Sequence, residues 1–460
     1  MPDNINEPDQ CIASYYPIWL RNRHVIDGER AIRQNCEAYL PRHPHMTVGE
    51  YRSFIHRVPF FPAASRTLAG LIGLMFRKAP TIQAPENLLP ILNTITRRGD
   101  PIGKLGEMVA RELLITNFIG LLVDYPPSPV GLSLSQAQAT GHRPSINLYR
   151  AESILKATPG IVGNRQVLVR VCLKEEDGSV RELVLIDGVY TVIMHRDDGT
   201  GSLVPEEPVI PLANGKPLDR IPFVIGNTEG SWEPTIPPMS DMCAHNIQYF
   251  LAQANLAQTH HFSSTPIYVV TGADVKPEDL PVYPGAAWTF DKETAKAEIL
   301  EYKGTSVEAL RQSIQDIKEE MAAIGSRILA SEKAAKEAAD ALAIRRASEN
   351  AVLASTARIV SRIVNDALHL IEYWMGLGEG TLEFEVNTDF NPSALSSLDL
   401  TARLALVQAN VISKEAFIEM MIDSGDLPET FDYDLDQSKI AEEDASLPPT
   451  DTGPVIPPIQ

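Results

Sequence analysis

Cations are scarce in this chain. Lys and Arg number 40 against 60 Asp and Glu, a net charge of −20 over 460 residues, and a protein that grips phosphates by bulk attraction needs the opposite balance. Any contact with nucleic acid should therefore be loose. Cysteine is rare too: Cys11, Cys36, Cys172 and Cys243 stand in no CxxC or metal-ligand spacing. That argues against a disulfide framework and reads as reduced, mostly buried thiols in a cytosolic setting. No apolar run reaches the roughly 20 residues of a membrane span. The longest, "LAGLIGLMF" (Leu68 to Phe76) and "LLITNFIGLLV" (Leu113 to Val123), read as core helices. The N-terminal "MPDNINEPDQ" lacks the basic start and apolar centre of a signal peptide, so neither export nor membrane contact is expected.

Motifs that carry chemistry are missing as well. There is no P-loop lysine pattern, no GxSxG and no HExxH. Gly70 and Gly73 in "AGLIGL" lack the rest of a dinucleotide fingerprint and read as close helix packing. His43 with His45, and His260 with His261, have no third ligand at a familiar offset. The expectation is a non-enzyme with no catalytic residue, no cofactor and no metal. "KEEDGSVRE" is read as a solvated hairpin tip.

What is present is a succession of periodic segments. Residues 1 to about 140 read as helices separated by proline. One runs from about Val48, a second ends at Phe76, and a third starts near Asp100 with Pro101 in its first turn and carries Val109, Leu113, Phe118 and Leu121 into "LLVDYPP". From 145 to 227 the period falls to two. Val167, Val169 and Val171 alternate with polar neighbours, Asp177-Gly178 turns, and Val180, Leu183 and Leu185 resume, which predicts an antiparallel meander. Ser240 can cap a helix to about Phe262. A β-rich excursion leads to Thr305 and Glu308, a capping box. From there Val307, Leu310, Ile314, Ile317, Met321, Ile324 and Ile328 step by three and four along one helix face.

Glycine and proline are then absent from Ser326 to Met375. The second half of this stretch repeats the seam at Val360, Val364, Ala367, Ile371 and Trp374. The first half, Ala330 to Ala354, has ten alanines in 25 residues and mostly charged bulky side chains; alanine's helix propensity and the Glu332–Lys336 pair let it be helical without burial. A helix of that extent is roughly 60 Å long, too long for a monomeric core, so copies of itself or another long element should cover it. A strand in "TLEFEVNTDF", helices near Leu398 to Gln408 and Ser413 to Ile422, and a tail expected to be disordered complete the chain. Ten carboxylates between Asp423 and Asp451 face Lys439 alone.

The fold class is α+β, mainly helical. The stretches "FFPAASRTLAGLIGLMFRKAP", "GLLVDYPP", "IPFVIGN", "ILEYKG", "SEKAAKEAADALAIRRASENAVLASTARIVSRIVNDAL", "VNTDF" and "LVQANVISKEAFIEMMIDSGDLP", in this order, resemble the portal proteins of tailed bacteriophages, especially the compact portals of short-tailed phages. The resemblance implies a wing over residues 1–238, with its meander at 145–227, and stem helices at 239–263 and 305–329 flanking a clip at 264–304. It further implies a tunnel loop at 330–340, a long wing helix at 341–376, a return strand at 377–395, a crown at 396–438 and a tail at 439–460. It implies a homo-oligomeric ring, of twelve copies, at one capsid vertex of a virion. Double-stranded DNA would pass through it in packaging and ejection, and terminase, head-tail adaptor or tail proteins, and capsid and scaffolding protein would be its partners. Ser331, Glu332, Lys333, Lys336, Glu337 and Asp340 would line the channel. Leu310, Ile314, Ile317, Met321, Ile324, Val360, Val364 and Ile371 would form a seam between subunits. The competing reading is a cytosolic helical scaffold or adaptor unrelated to capsids.

Overall fold

Helices begin where the sequence supplies a cap. Thr47 Oγ1 accepts from the Glu50 amide at 3.2 Å and Glu50 returns the bond to the Thr47 amide at 2.8 Å, two otherwise unpaired donors satisfied at once. The structure is a computed structural model describing residues 4–125, 143–213, 215–263, 267–272, 280, 288–290, 294–300, 305–329, 339–378, 380–388, 390, 404–409, 411–423, 427, 431–433 and 435–439. The chain divides into two units, residues 1–389 and 390–460. In the first, the main helices are α1 (Tyr16–Asp27), α2 (Val48–Arg57), α3 (Ala63–Met75), α4 (Ile102–Thr116), α5 (Ser240–Ser263), α6 (Thr305–Leu329) and α7 (Ala339–Met375).

The core gathers where α1, α4 and a strand leaving α4 meet. Trp19 is fully buried, donates its indole N–H to Thr116 O at 2.8 Å and stacks on Phe118 at 5.9 Å. The run expected to be one helix from Leu113 to Val123 is two elements. Asn117 takes the left-handed conformation at φ 51 and its amide closes on Glu112 O and Leu113 O, ending α4. Strand β2 (Ile119–Asp124) follows, so Phe118 and Leu121 belong to the turn and the sheet.

The expected single meander is divided into two main sheets and a small separate pair, Leu212–Ala213 with Lys216–Pro217. One main sheet holds β2, β3 (Ser145–Arg150) and a late strand β9 (Phe223–Gly226), in the order β9-β2-β3. The other is an antiparallel succession of β4 (Ile154–Val162), β5 (Arg165–Lys174), β6 (Val180–Ile186), β7 (Val189–Asp197) and β8 (Leu203–Pro205). Asp177-Gly178 does turn the chain, but Leu168 is buried where Val167 and Val169 are half-buried. "KEEDGSVRE" is less solvated than expected: Glu175 accepts from Tyr149 Oη at 2.8 Å and Arg181 Nε at 2.6 Å. Gly73 is exposed with nothing close to it, so the packing expected of "AGLIGL" fails there. Tight approaches occur instead at Gly106 and Gly120, where an added Cβ would lie 2.6 Å from Phe384 and 2.1 Å from Phe223.

Two more strand pairs tie distant segments together. β1 (Thr81–Gln83) pairs with β12 (Glu383–Glu385), the expected return strand. The hairpin β10 (Ile267–Thr271) with β11 (Lys296–Leu300) lies between α5 and α6. In the second unit, Ser413 Oγ accepts from the Ala416 amide at 3.0 Å and caps α8 (Lys414–Asp423) as its sequence predicts. A short helical segment occupies 404–408; the tail over 440–460 and the start of the preceding expected helix lie outside the described residues.

None of the four cysteines is in a disulfide; Cys36, Cys172 and Cys243 are buried and Cys11 is exposed. Burial raises the Cys243 thiol to about 12 and also raises those of Cys36 and Cys11, so it is exposure that sets Cys11 apart. Only the thiolate attacks a disulfide reagent. The native protein should therefore release one equivalent of chromophore quickly with Ellman's reagent at neutral pH, and the remaining three only in denaturant. Fast release of more than one would contradict this packing.

Candidate interaction surfaces

Of the residues expected along a channel, Ser331, Glu332, Lys333, Lys336 and Glu337 lie outside the described residues. Asp340 is in the first turn of α7. The alanine-rich side chains around it are outside the description as well.

The first seam is largely covered from within the chain. α6 packs along α5 and against α3. Ile314 and Met321 are buried, and Leu310, Ile317 and Ile324 are half-buried. The second seam corrects the sequence reading more sharply. Val360, Val364 and Ile371 are each 0% exposed in the single chain, as is Ala367, with Trp374 at 5%. They face α4, β2, β9 and β12, so no neighbouring subunit is needed to bury them.

The sequence reading missed what holds this half of α7 in place. Three polar side chains on its inner side bind the backbone of the returning strand. Ser361 Oγ accepts from the Val386 amide at 2.9 Å. Asn365 accepts from the Phe384 amide at 2.9 Å and donates to Phe384 O at 3.0 Å. Glu372, 1% exposed, accepts from the Leu382 amide at 2.6 Å and the Gly380 amide at 3.2 Å. Residues 382, 384 and 386 thus present alternate amides of one strand to three positions along the helix, while Phe384 fills the space above Gly106. The available signal was polar residues set at four- and seven-residue intervals within an apolar face, where an unpaired polar group would be costly.

A charged cluster joins α1 to the start of the meander. Arg23 bonds Glu112 through Nη2 at 2.7 Å and Nη1 at 3.2 Å, and it bonds Glu152 through Nε and Nη2. Burial opposes the guanidinium charge, but the bonds to Glu152 and Glu112 outweigh it and raise its pKa above the ordinary arginine value. Every group here is paired to another, a structural role. His43 and His45 lie with ring centroids 5.5 Å apart.

A cleft of about 910 Å³ opens between the Thr96–Asp100 turn, α4, β3 and the β5–β7 face. Met108 and Leu148 contribute its apolar surface, with Leu105 and Ile146 buried beneath them. Its cations are Arg97, Arg98, Arg150, Lys174, Arg181 and Arg196; its carboxylates are Asp100, Glu175, Glu176 and Asp177. Six against four gives a local excess of +2 in a chain of net −20. Burial, followed by the adjoining Glu175 carboxylate, raises the Tyr149 hydroxyl above its usual value despite Arg181, which keeps it a donor.

A domain family described as a domain of unknown function (DUF4055) matches residues 238–375, the span from α5 to the end of α7. No curated protein matches the chain. Among solved structures, it is similar to a chain from the neck of an empty GTA particle computed with C6 symmetry, at 12% identity over 80% of this chain and 91% of that one, with a TM-score of 0.40. It is likewise similar to a chain of the virion of a native gene transfer agent (GTA) particle, at 13% identity over 82% and 93%, with a TM-score of 0.40. A third similarity is to a chain from the neck of a native GTA particle computed with C12 symmetry, at 13% identity over 84% and 96%, with a TM-score of 0.34.

Proposed function

We propose that the chain is a portal-type protein, a ring subunit forming a DNA conduit at a capsid vertex, with no catalytic role of its own. The order of elements supports the reading: a helical and β-sheet region, paired long helices with a β-hairpin between them, a long helix laid back over the first region, a returning strand, and a small helical unit. In this reading the segment from Ala330 to Asp340 faces the DNA, with Lys333 and Lys336 as its phosphate contacts, and terminase and tail proteins dock on the assembled ring.

The observation that carries the oligomer is α5. From Met242 to Thr259 it holds no Asp, Glu, Lys or Arg, yet Leu251, Ala252, Gln253, Leu256, Ala257 and Gln258 are only half-buried. A solvated helix face in a monomer is ordinarily charged, and the centre of an interface is depleted of charge. The second seam lends nothing to this argument, because the chain covers it itself.

Electron microscopy and mass photometry of the purified protein test the reading. Rings with an axial hole are expected, and Asn255→Glu, which places a carboxylate on an exposed position of this helix, should disperse them while leaving the circular dichroism unchanged. A monomer at micromolar concentration would refute the ring. Dimers or trimers would favour a helical scaffold.

A further inference from the structure

Strand β3 is the last in its sheet, and its outer edge forms one wall of the cleft. Ile146 turns its N–H away from β2 and donates to Ile95 O at 2.9 Å. In an antiparallel ladder every second residue points the same way, so the backbone groups of Leu148 and Arg150 face outward too. The chain covers only the beginning of this edge, through the bridge between Thr96 and Ile146. Thr96 Oγ1 then accepts from the Asp100 amide at 2.8 Å and Gly99, at φ 89, turns the backbone away. The Arg150 carbonyl caps the 3-10 turn over Ala151–Ser153, and among the described residues nothing pairs with the backbone of Leu148 on that side.

We propose that this edge takes up an extended acidic peptide of a partner protein as an added strand. An unpaired strand edge is a template for pairing, and main-chain bonds supply affinity while alternate side chains supply specificity. One set of peptide side chains would lie over Met108 and Leu148, both half-buried. The other would meet Arg97 and Arg98 on the turn and Lys174 on β5. Arg98 is 80% exposed and its ion pair to Glu176 spans 3.8 Å, so a carboxylate arriving there displaces little. A nucleic-acid duplex fits less well, because its backbone has no amides to pair with a strand edge.

The test uses the full chain and a fluorescent peptide of alternating glutamate and valine. Saturable binding is expected, together with slowed hydrogen exchange at the Leu148 amide. Affinity should fall at least about tenfold, or roughly 1.4 kcal/mol, in two arms: with Arg97→Glu/Arg98→Glu, and with the same peptide N-methylated at alternate amides in the register that faces β3. The two arginines are exposed, so the variant should keep its fold, which its melting curve checks. Three results would overturn the proposal: equal binding of a lysine–valine peptide, tighter binding of a DNA duplex through the same arginines, or a Leu148 amide already protected in the free protein. The last would mean that the chain fills its own edge.

Discussion

Val364→Asp should unfold the isolated chain. The side chain is 0% exposed and sits among Val360, Ala367 and Ile371, which are equally closed to solvent. Removing a buried valine forfeits roughly 1.5–3 kcal/mol. An uncompensated buried charge costs on the order of 3–5 kcal/mol more, unless the carboxyl takes a proton and gives part of that back. Domains are stable by about 5–15 kcal/mol, so the substitution removes most or all of the margin. Thermal unfolding followed by far-UV circular dichroism should show the transition lost or lowered by tens of degrees, with the protein recovered as aggregate. The opposite result, a folded chain that merely fails to assemble, is what the sequence alone led one to expect, and it would return this face to the subunit interface.

Arg23→Ala is the second large effect. The guanidinium lies between Glu112 and Glu152, with side-chain exposures of 15%, 6% and 26%, and its loss brings the two carboxylates together with Arg150, 3.6 Å from Glu112, as the remaining cation. Breaking a buried ion pair from one side costs about 3–5 kcal/mol, whereas replacing the group with apolar side chains is often neutral. The double variant Arg23→Met/Glu112→Leu should therefore recover most of what Arg23→Ala loses. Denaturant titration gives both numbers, and additivity between the two sites would show that the cluster is not coupled.

Much of the chain order was legible. Local signals are strong wherever the chain decides for itself: the Thr47–Glu50 capping box, the Ser413 cap, the Asp177-Gly178 turn, and the three-and-four stepping of α6 all depend on neighbours within a few residues. What failed was the destination of a face. Periodicity shows that Val360, Val364 and Ile371 must be covered, and nothing in the period says by what. The cover is α4, the β9-β2-β3 sheet and β12, drawn from segments far apart in sequence. The same limit hid the split at Asn117, where an apolar run long enough for one helix is bent by a single left-handed residue. It also hid the cleft, whose arginines come from a turn and three strands with no motif in common. The segment expected to meet DNA, 330–338, is outside the description, so its role rests on the order of elements around it.

The three side chains that clasp the returning strand make α7 behave differently along its length. Because Ser361, Asn365 and Glu372 each hold an alternate amide of one strand, and that strand is itself hydrogen-bonded to Thr81–Gln83, a slip by one residue would break every contact together. The far end of the helix is thus keyed to its bed. Sliding of this end along its own axis is thereby blocked.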